Sequence, residues 1–232
     1  DHFPKEILDN SSLDHVIAGE PEFQLYNYFH NYLNKTFLPT TNLFSKNFSK
    51  TKTEVVRLKT KDIKFNPDLN LLSGMNYFEP FVISPLGIIQ SARGCPYTCN
   101  FCVKSYGTKL TYKTEDQIID EIIEWKKKGA KSIRFIDDTF TVSEQRVLNI
   151  CKLILNLKIN IKWTCLSRVD TFTEQMAVIM KQAGCIRIYF GVESGSQNVL
   201  DLLNKNYKVK TAKSAIDICY KHRLESVGFF MS

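Results

Sequence analysis

The chain has 232 residues, 44% of them hydrophobic and 24% charged, the balance of a soluble globular protein with room for one large domain or a domain and a fragment. No apolar run approaches the ~20 residues that span a bilayer, and no secretory leader pattern is recognisable, so the expected compartment is the cytoplasm. The formal charge is +7, and the seven cysteines are odd in number, with Cys151, Cys165, Cys185 and Cys219 inside apolar segments, which argues against a disulfide framework and for reduced thiols.

Residues 1–35 predict a helix–strand–helix unit. Val16-Ile17-Ala18 is a short apolar strand that ends in a turn at Gly19. Phe23, Leu25, Tyr26, Tyr28, Phe29, Tyr32 and Leu33 then follow a helical pattern. The unit is too small to own a core. Residues 36–85 read as a connector, because Pro39, Pro67, Pro80 and Pro85 oppose long regular elements, with Val55–Leu58 a short edge strand. Within it, Lys46, Lys50, Lys52, Arg57, Lys59, Lys61 and Lys64 face only Glu54 and Asp62. Phe48 is the one stacking ring of this run and no RNA-binding motif accompanies it. The run therefore reads as a solvated linker, and nucleic acid is not an expected partner.

From residue 86 strands and helices alternate, which predicts a parallel α/β sheet. The first strand is Ile88–Ala92. Thr114 with Gln117 forms a capping box for a helix whose stripe is Ile118, Ile119, Ile122 and Ile123, ending at Gly129. The second strand is Ser132–Asp137, and a helix from Ser143 carries Val147, Leu148, Cys151, Ile154 and Leu155. The third strand is Ile161–Leu166. Thr171 and Glu174 are read as the cap of the next helix, which ends at Gly184. The fourth strand is Ile186–Val192. Helical segments over Gln197–Leu203 and Thr211–His222 precede the fifth strand, Ser226–Met231.

Between the first strand and its helix stands Arg-Gly-Cys-Pro-Tyr-Thr-Cys-Asn-Phe-Cys, residues 93–102. Cys95, Cys99 and Cys102 have C-x3-C-x2-C spacing, and Gly94 and Pro96 favour a loop. Such a run wraps three thiolates around one centre. Iron–sulfur clusters usually take four, and an open position distinguishes a reactive metal site from a closed one. A structural zinc loop is the alternative, but no second Cys or His knuckle follows.

The other strand ends are polar too: Asp137-Asp138-Thr139, Ser167-Arg168-Val169-Asp170, and Glu193-Ser194-Gly195-Ser196. In β/α barrels the chemistry gathers at such ends. Asp170 and Ser196 also suit ordinary helix caps. A mutual salt bridge is the structural alternative for Arg168 and Glu193.

The cysteine run, with Phe101 as the aromatic of C-x3-C-x-aromatic-C, resembles the signature of the radical S-adenosylmethionine (SAM) superfamily. The resemblance implies a partial (β/α)6-type barrel with six strands, of which five are present here. It also implies a 4Fe–4S cluster on Cys95, Cys99 and Cys102, with SAM on the fourth iron, cleaved reductively to a 5′-deoxyadenosyl radical. On this reading Phe101 lies against adenine, Arg168 pairs with the SAM carboxylate, and Glu193 with Ser194 forms the ribose motif. Asp137 or Asp138 takes the amine, where many members carry Gly-Gly-Glu. The expected partners are a small-molecule substrate and a reductant such as flavodoxin or ferredoxin.

Phe3-Pro4-Lys5-Glu6-Ile7-Leu8 and Val16-Ile17-Ala18-Gly19-Glu20-Pro21-Glu22 resemble the tail of the Rossmann-like cobalamin-binding domain of one branch of that superfamily. The branch contains methyltransferases and a tetrapyrrole cyclase. The expected organisation is therefore a remnant of that domain over residues 1–35, a linker over 36–85, and an incomplete barrel over 86–232. Methyl transfer is the favoured reaction, and cobalamin is left open. Two alternatives remain. A methylthiotransferase-like enzyme acting on tRNA would carry three further cluster cysteines upstream, and residues 1–90 contain no cysteine. A non-catalytic metal-binding module would be zinc-loaded and redox-silent.

Overall fold

The computed structural model describes residues 4–17, 21–34, 43–45, 77, 82–104 and 106–231. Near the start, α1 (Pro4–Asp9), β1 (His15–Ile17) and α2 (Pro21–Leu33) follow the expected helix–strand–helix order. A further strand, β2 (Leu43–Ser45), pairs antiparallel with β1. The expected Val55–Leu58 strand, the basic run and the Gly19 turn lie outside the described residues.

The next elements are β3 (Leu86–Ile89), β4 (Ala92–Arg93), β5 (Thr111–Tyr112), α3 (Glu115–Lys127) and β6 (Ser132–Phe135). A 3-10 turn over Phe140–Val142 leads to α4 (Glu144–Asn156), β7 (Lys162–Ser167), α5 (Glu174–Gln182) and β8 (Cys185–Glu193). Then come α6 (Gln197–Leu202), α7 (Val209–Lys221) and β9 (Glu225–Phe230). Strands β3, β6, β7, β8 and β9 lie side by side in chain order and are all parallel. A doubly wound sheet would reverse its strand order at a switch point. Sequential order with a helix in each crossover is a section of a β/α barrel.

The five expected strands are all present, with ends shifted by a few residues. The first departs most. The expected Ile88–Ala92 divides into β3 and β4, and β4 leaves the sheet to pair antiparallel with β5. At the break the Asp137 carboxylate takes the N–H groups of Ser91 and Ala92. The capping box of Thr114 and Gln117 forms as expected. The cap of α5 is Thr173 rather than Thr171. The Thr171 hydroxyl is engaged elsewhere, on the carbonyl of Arg168.

Trp163 anchors the core with Phe135 and Phe140, at ring distances of 5.5 and 5.6 Å. All three are essentially fully buried, and each such ring contributes roughly 1.5–3 kcal/mol by burial. The Trp163 indole N–H donates to Ala183 O at 2.8 Å, so no polar group is orphaned by its burial. Cys151, Cys165, Cys185 and Cys219 belong to this same core. Among the described residues, no helix is long and apolar enough to cross a membrane.

Candidate active site

The cysteine loop leaves the barrel through β4 and returns through β5. That ribbon closes its neck, and Cys95 N–H donates to Gly107 O at 3.0 Å. Gly94 has φ of +87°, and a Cβ there would stand 2.3 Å from Lys109 O, so only glycine lets the two arms approach this closely. The tip of the loop is docked as well. Asn100 donates from its backbone to Leu203 O (3.1 Å) and from Nδ2 to Leu202 O (2.8 Å). Asn204, at φ +55°, donates from Nδ2 to Thr98 O (2.7 Å) and Thr98 Oγ1 (2.9 Å). Protein contacts therefore hold the loop at its neck and at its tip.

The two candidate aspartates separate. Asp137 is buried beneath the loop, where Oδ1 accepts from Ser91 N (2.6 Å) and Ala92 N (3.0 Å), and Oδ2 accepts from the Ser91 hydroxyl. Burial pushes its carboxyl up, against these hydrogen bonds and the nearby Arg146 guanidinium. Its oxygens serve the turn that launches the loop. Asp138 is exposed as a residue, and partial desolvation of its carboxyl by the neighbouring chain pushes its pKa upward. Its charge is felt at Cys102, so Asp138 is the aspartate on the loop's side.

Arg168 and Glu193 do not pair with each other. Arg168 Nε and Nη2 fork onto the two oxygens of Asp170, each at 2.9 Å. Nη2 also donates to Lys205 O (2.6 Å), and Nη1 donates to Cys99 Sγ (3.3 Å). The guanidinium lies 3.8 Å over the Tyr97 ring. Asp170 is thus an ion-pair partner and not a helix cap. The forked face, the one expected to meet the SAM carboxylate, carries Asp170 in this structure.

Glu193 ends β8 at φ +66°, in a three-residue turn closed by Ser194 N–H on Val192 O at 2.8 Å. Such backbone is costly and persists where the surroundings enforce it, often at functional sites. Oε1 accepts from the buried Lys205 Nζ at 3.0 Å. A Cβ on Gly191 would stand 2.7 Å from that same oxygen, so glycine leaves the room in which the carboxylate folds back. Lys205 Nζ lies 5.7 Å from the Phe101 ring centre, which places Phe101, 40% exposed, beside the β8 end. The Ser194 hydroxyl accepts from Ser196 N–H. Ser196 is the N-cap residue of α6, with no side-chain cap bond.

The three thiols fit a polynuclear centre. Burial, then the neighbouring Cys95, Asp138 and Cys99, push the Cys102 thiol up. A bound cation inverts that balance and favours the thiolates. Cys95 Sγ lies 3.9 Å from the Thr139 hydroxyl and Cys99 receives Arg168. Among the described residues, no three His, Cys, Asp or Glu side chains converge as a single ion requires.

Sequence reasoning missed Lys205, Tyr97, Asn100, Asn204 and Tyr207. The Tyr207 hydroxyl donates to Val192 O (2.8 Å), and burial pushes its pKa well up. The available signal was Asn204-Lys205-Asn206-Tyr207, a polar run between two helices.

The chain matches the model of the Radical SAM superfamily over residues 89–232. An uncharacterised methyltransferase of Pyrococcus horikoshii is 35% identical over 150 residues, covering 63% of this chain and 33% of the relative. The anaerobic magnesium-protoporphyrin IX monomethyl ester cyclase of Rubrivivax gelatinosus is 24% identical over 159 residues, 67% of this chain and 29% of the cyclase. The chain thus spans about a third of the length of these curated relatives. Among solved structures, the cobalamin-dependent S-adenosylmethionine radical enzyme OxsB, with aqua-cobalamin and S-adenosylmethionine bound, is similar with a TM-score of 0.79. That match is 19% identical and covers 94% of this chain and 33% of OxsB.

Proposed function

From the premise that this chain belongs to the radical SAM superfamily, we propose that it forms the core of a radical SAM enzyme that transfers a methyl group to a small molecule. The observation that carries this reading is the cysteine loop, closed at its neck and docked at its tip beside Asp138, Arg168 and Glu193. In the proposal Cys95, Cys99 and Cys102 hold a 4Fe–4S cluster. When bound, the cluster and SAM supply reductive cleavage of SAM and, through it, hydrogen abstraction.

The chain's own residues bind and orient. Asp138 accepts from the SAM amine, while Asp137 acts from beneath by holding Ser91 and Ala92. Glu193, poised by Lys205, accepts from the ribose hydroxyls, with Ser194 shaping the turn. Phe101 offers its exposed ring to the adenine. Arg168 contributes from the Cys99 side.

The proposal extends to the organisation of the chain, with residues 1–35 the tail of a cobalamin-binding-like domain, 36–85 a linker and 86–232 the barrel core. Cobalamin enters through the likeness to OxsB, and no residue of this chain is assigned to it. A low-potential flavodoxin or ferredoxin would deliver the electron, in the cytoplasm.

The test is anaerobic reconstitution of the full-length protein with iron and sulfide, followed by dithionite and SAM. The expected result is 4Fe–4S absorbance and formation of 5′-deoxyadenosine or S-adenosylhomocysteine. A zinc-loaded protein without a redox-active cluster would sink the proposal.

A further inference from the structure

The Arg168 guanidinium has five N–H donors, and four are accounted for by Asp170, Lys205 O and Cys99 Sγ. Its head is 5% exposed and stacked on Tyr97. The backbone behind it is fixed as well. Arg168 O accepts from Ser167 Oγ (3.0 Å) and Thr171 Oγ1 (3.1 Å), and Thr141 bridges those two hydroxyls. A side chain this constrained is built to keep one N–H at one place, and that place is the Cys99 sulfur.

The three loop sulfurs are therefore unequal. Cys95 has a neutral hydroxyl at 3.9 Å, and Cys102 has the anionic Asp138 nearby. Cys99 receives a donor that carries full positive charge.

We propose that Arg168 and Asp170 are a positioning pair that sets the reduction potential of the cluster through the Cys99 thiolate, and not a clamp for the SAM carboxylate. The inference rests on the cluster assignment proposed above. Hydrogen bonds to the sulfurs and net local charge are the protein's levers on cluster potential. Reduction adds one electron from an external low-potential one-electron donor, dithionite in the test below. No bond to Arg168 breaks and no proton moves. A cationic N–H on the sulfur stabilises the more negative, reduced form and raises the potential. Asp170 stands behind the guanidinium and offsets part of its charge. The two residues therefore act with opposite sign.

The experiment is a potentiometric titration followed by electron paramagnetic resonance on the reconstituted full-length protein, without SAM. The parent is compared with Arg168→Met, Arg168→Lys and Asp170→Asn. Iron and sulfide content is measured first, and SAM affinity is measured separately by equilibrium dialysis. Arg168→Met is expected to lower the reduced-to-oxidised ratio at fixed poise about tenfold, which is ~59 mV for one electron. Arg168→Lys keeps the charge without the fork and is expected to fall between. Asp170→Asn is expected to move the ratio upward severalfold. If Arg168→Met does not retain iron, Asp170→Asn decides alone.

Potentials changed less than twofold in ratio, in variants that load iron normally, overturn the inference. A tenfold loss of SAM affinity at unchanged potential also overturns it and restores the carboxylate clamp. Failure of the parent itself to load a cluster refutes the underlying assignment instead, so the two failures are distinguishable.

Discussion

Cys151, Cys165, Cys185 and Cys219 are buried in the barrel core, whereas Cys95, Cys99 and Cys102 stand on a loop beyond the strand ends, half-buried or exposed. Burial pushes the thiols of Cys151, Cys185 and Cys219 up, Cys219 to about 12. Protonated, they behave as small apolar groups and stay inert. Cys102 is raised by burial too, and then by the neighbouring Cys95, Asp138 and Cys99. The same residue type is packing material in one region and, in the proposal, a cluster ligand in the other, and surroundings make the difference.

The largest expected effect is on iron content. Cys99→Ala in the reconstituted protein is expected to lose nearly all bound iron while melting within a few degrees of the parent. Cys165→Ala should do the reverse, keeping its iron and losing roughly 1–2 kcal/mol of stability to the cavity, as read by urea denaturation. Iron retained by Cys99→Ala would break the division of the two sets.

Next in size is the neck of the loop. Gly94→Ala places a methyl group 2.3 Å from Lys109 O at a φ of +87°, so the β4–β5 ribbon must open. Most of the iron is expected to be lost, with faster hydrogen exchange at Thr111 and Tyr112. At the tip, Asn204→Ala forfeits two hydrogen bonds and adds strain at φ +55°, about 1 kcal/mol or somewhat more in all. Slower cluster reconstitution with unchanged final iron content is expected, measured as absorbance against time.

The smallest effect concerns pH. The folded pKa of Cys219 lies above the ~8.5 of an unfolded thiol. Its contribution to stability is thus complete below about pH 8.5 and is lost as pH rises towards about 12. Alkylation of the iron-free protein at pH 8.5 should label Cys95, Cys99 and Cys102 and spare the core four, read by mass spectrometry of the digest. Labelling of Cys219 in the folded protein would contradict the comparison.

Much of this was legible in the chain. The β/α rhythm follows from stripes such as Ile118, Ile119 and Ile122, which only a helix places on one face. The loop announces itself through cysteine spacing, and the polar strand ends through their position after apolar runs. The division of Asp137 from Asp138 was not legible. Adjacent residues at a strand end point to opposite sides, and which side holds Ser91 depends on a segment 45 or 46 residues away. Nor was the partner of Arg168. Charge alone offered Glu193, but Asp170 is two residues away and forks onto both nitrogens.

The fold class and the cysteine loop were already written in periodicity and spacing, which are local. Tertiary structure alone decided which charges meet. Lys205 reaches Glu193 from the far side of α6, and Asn204 reaches Thr98 across 106 positions of chain. Such pairings depend on how whole elements pack, and the identities of the residues alone do not encode the distances between them.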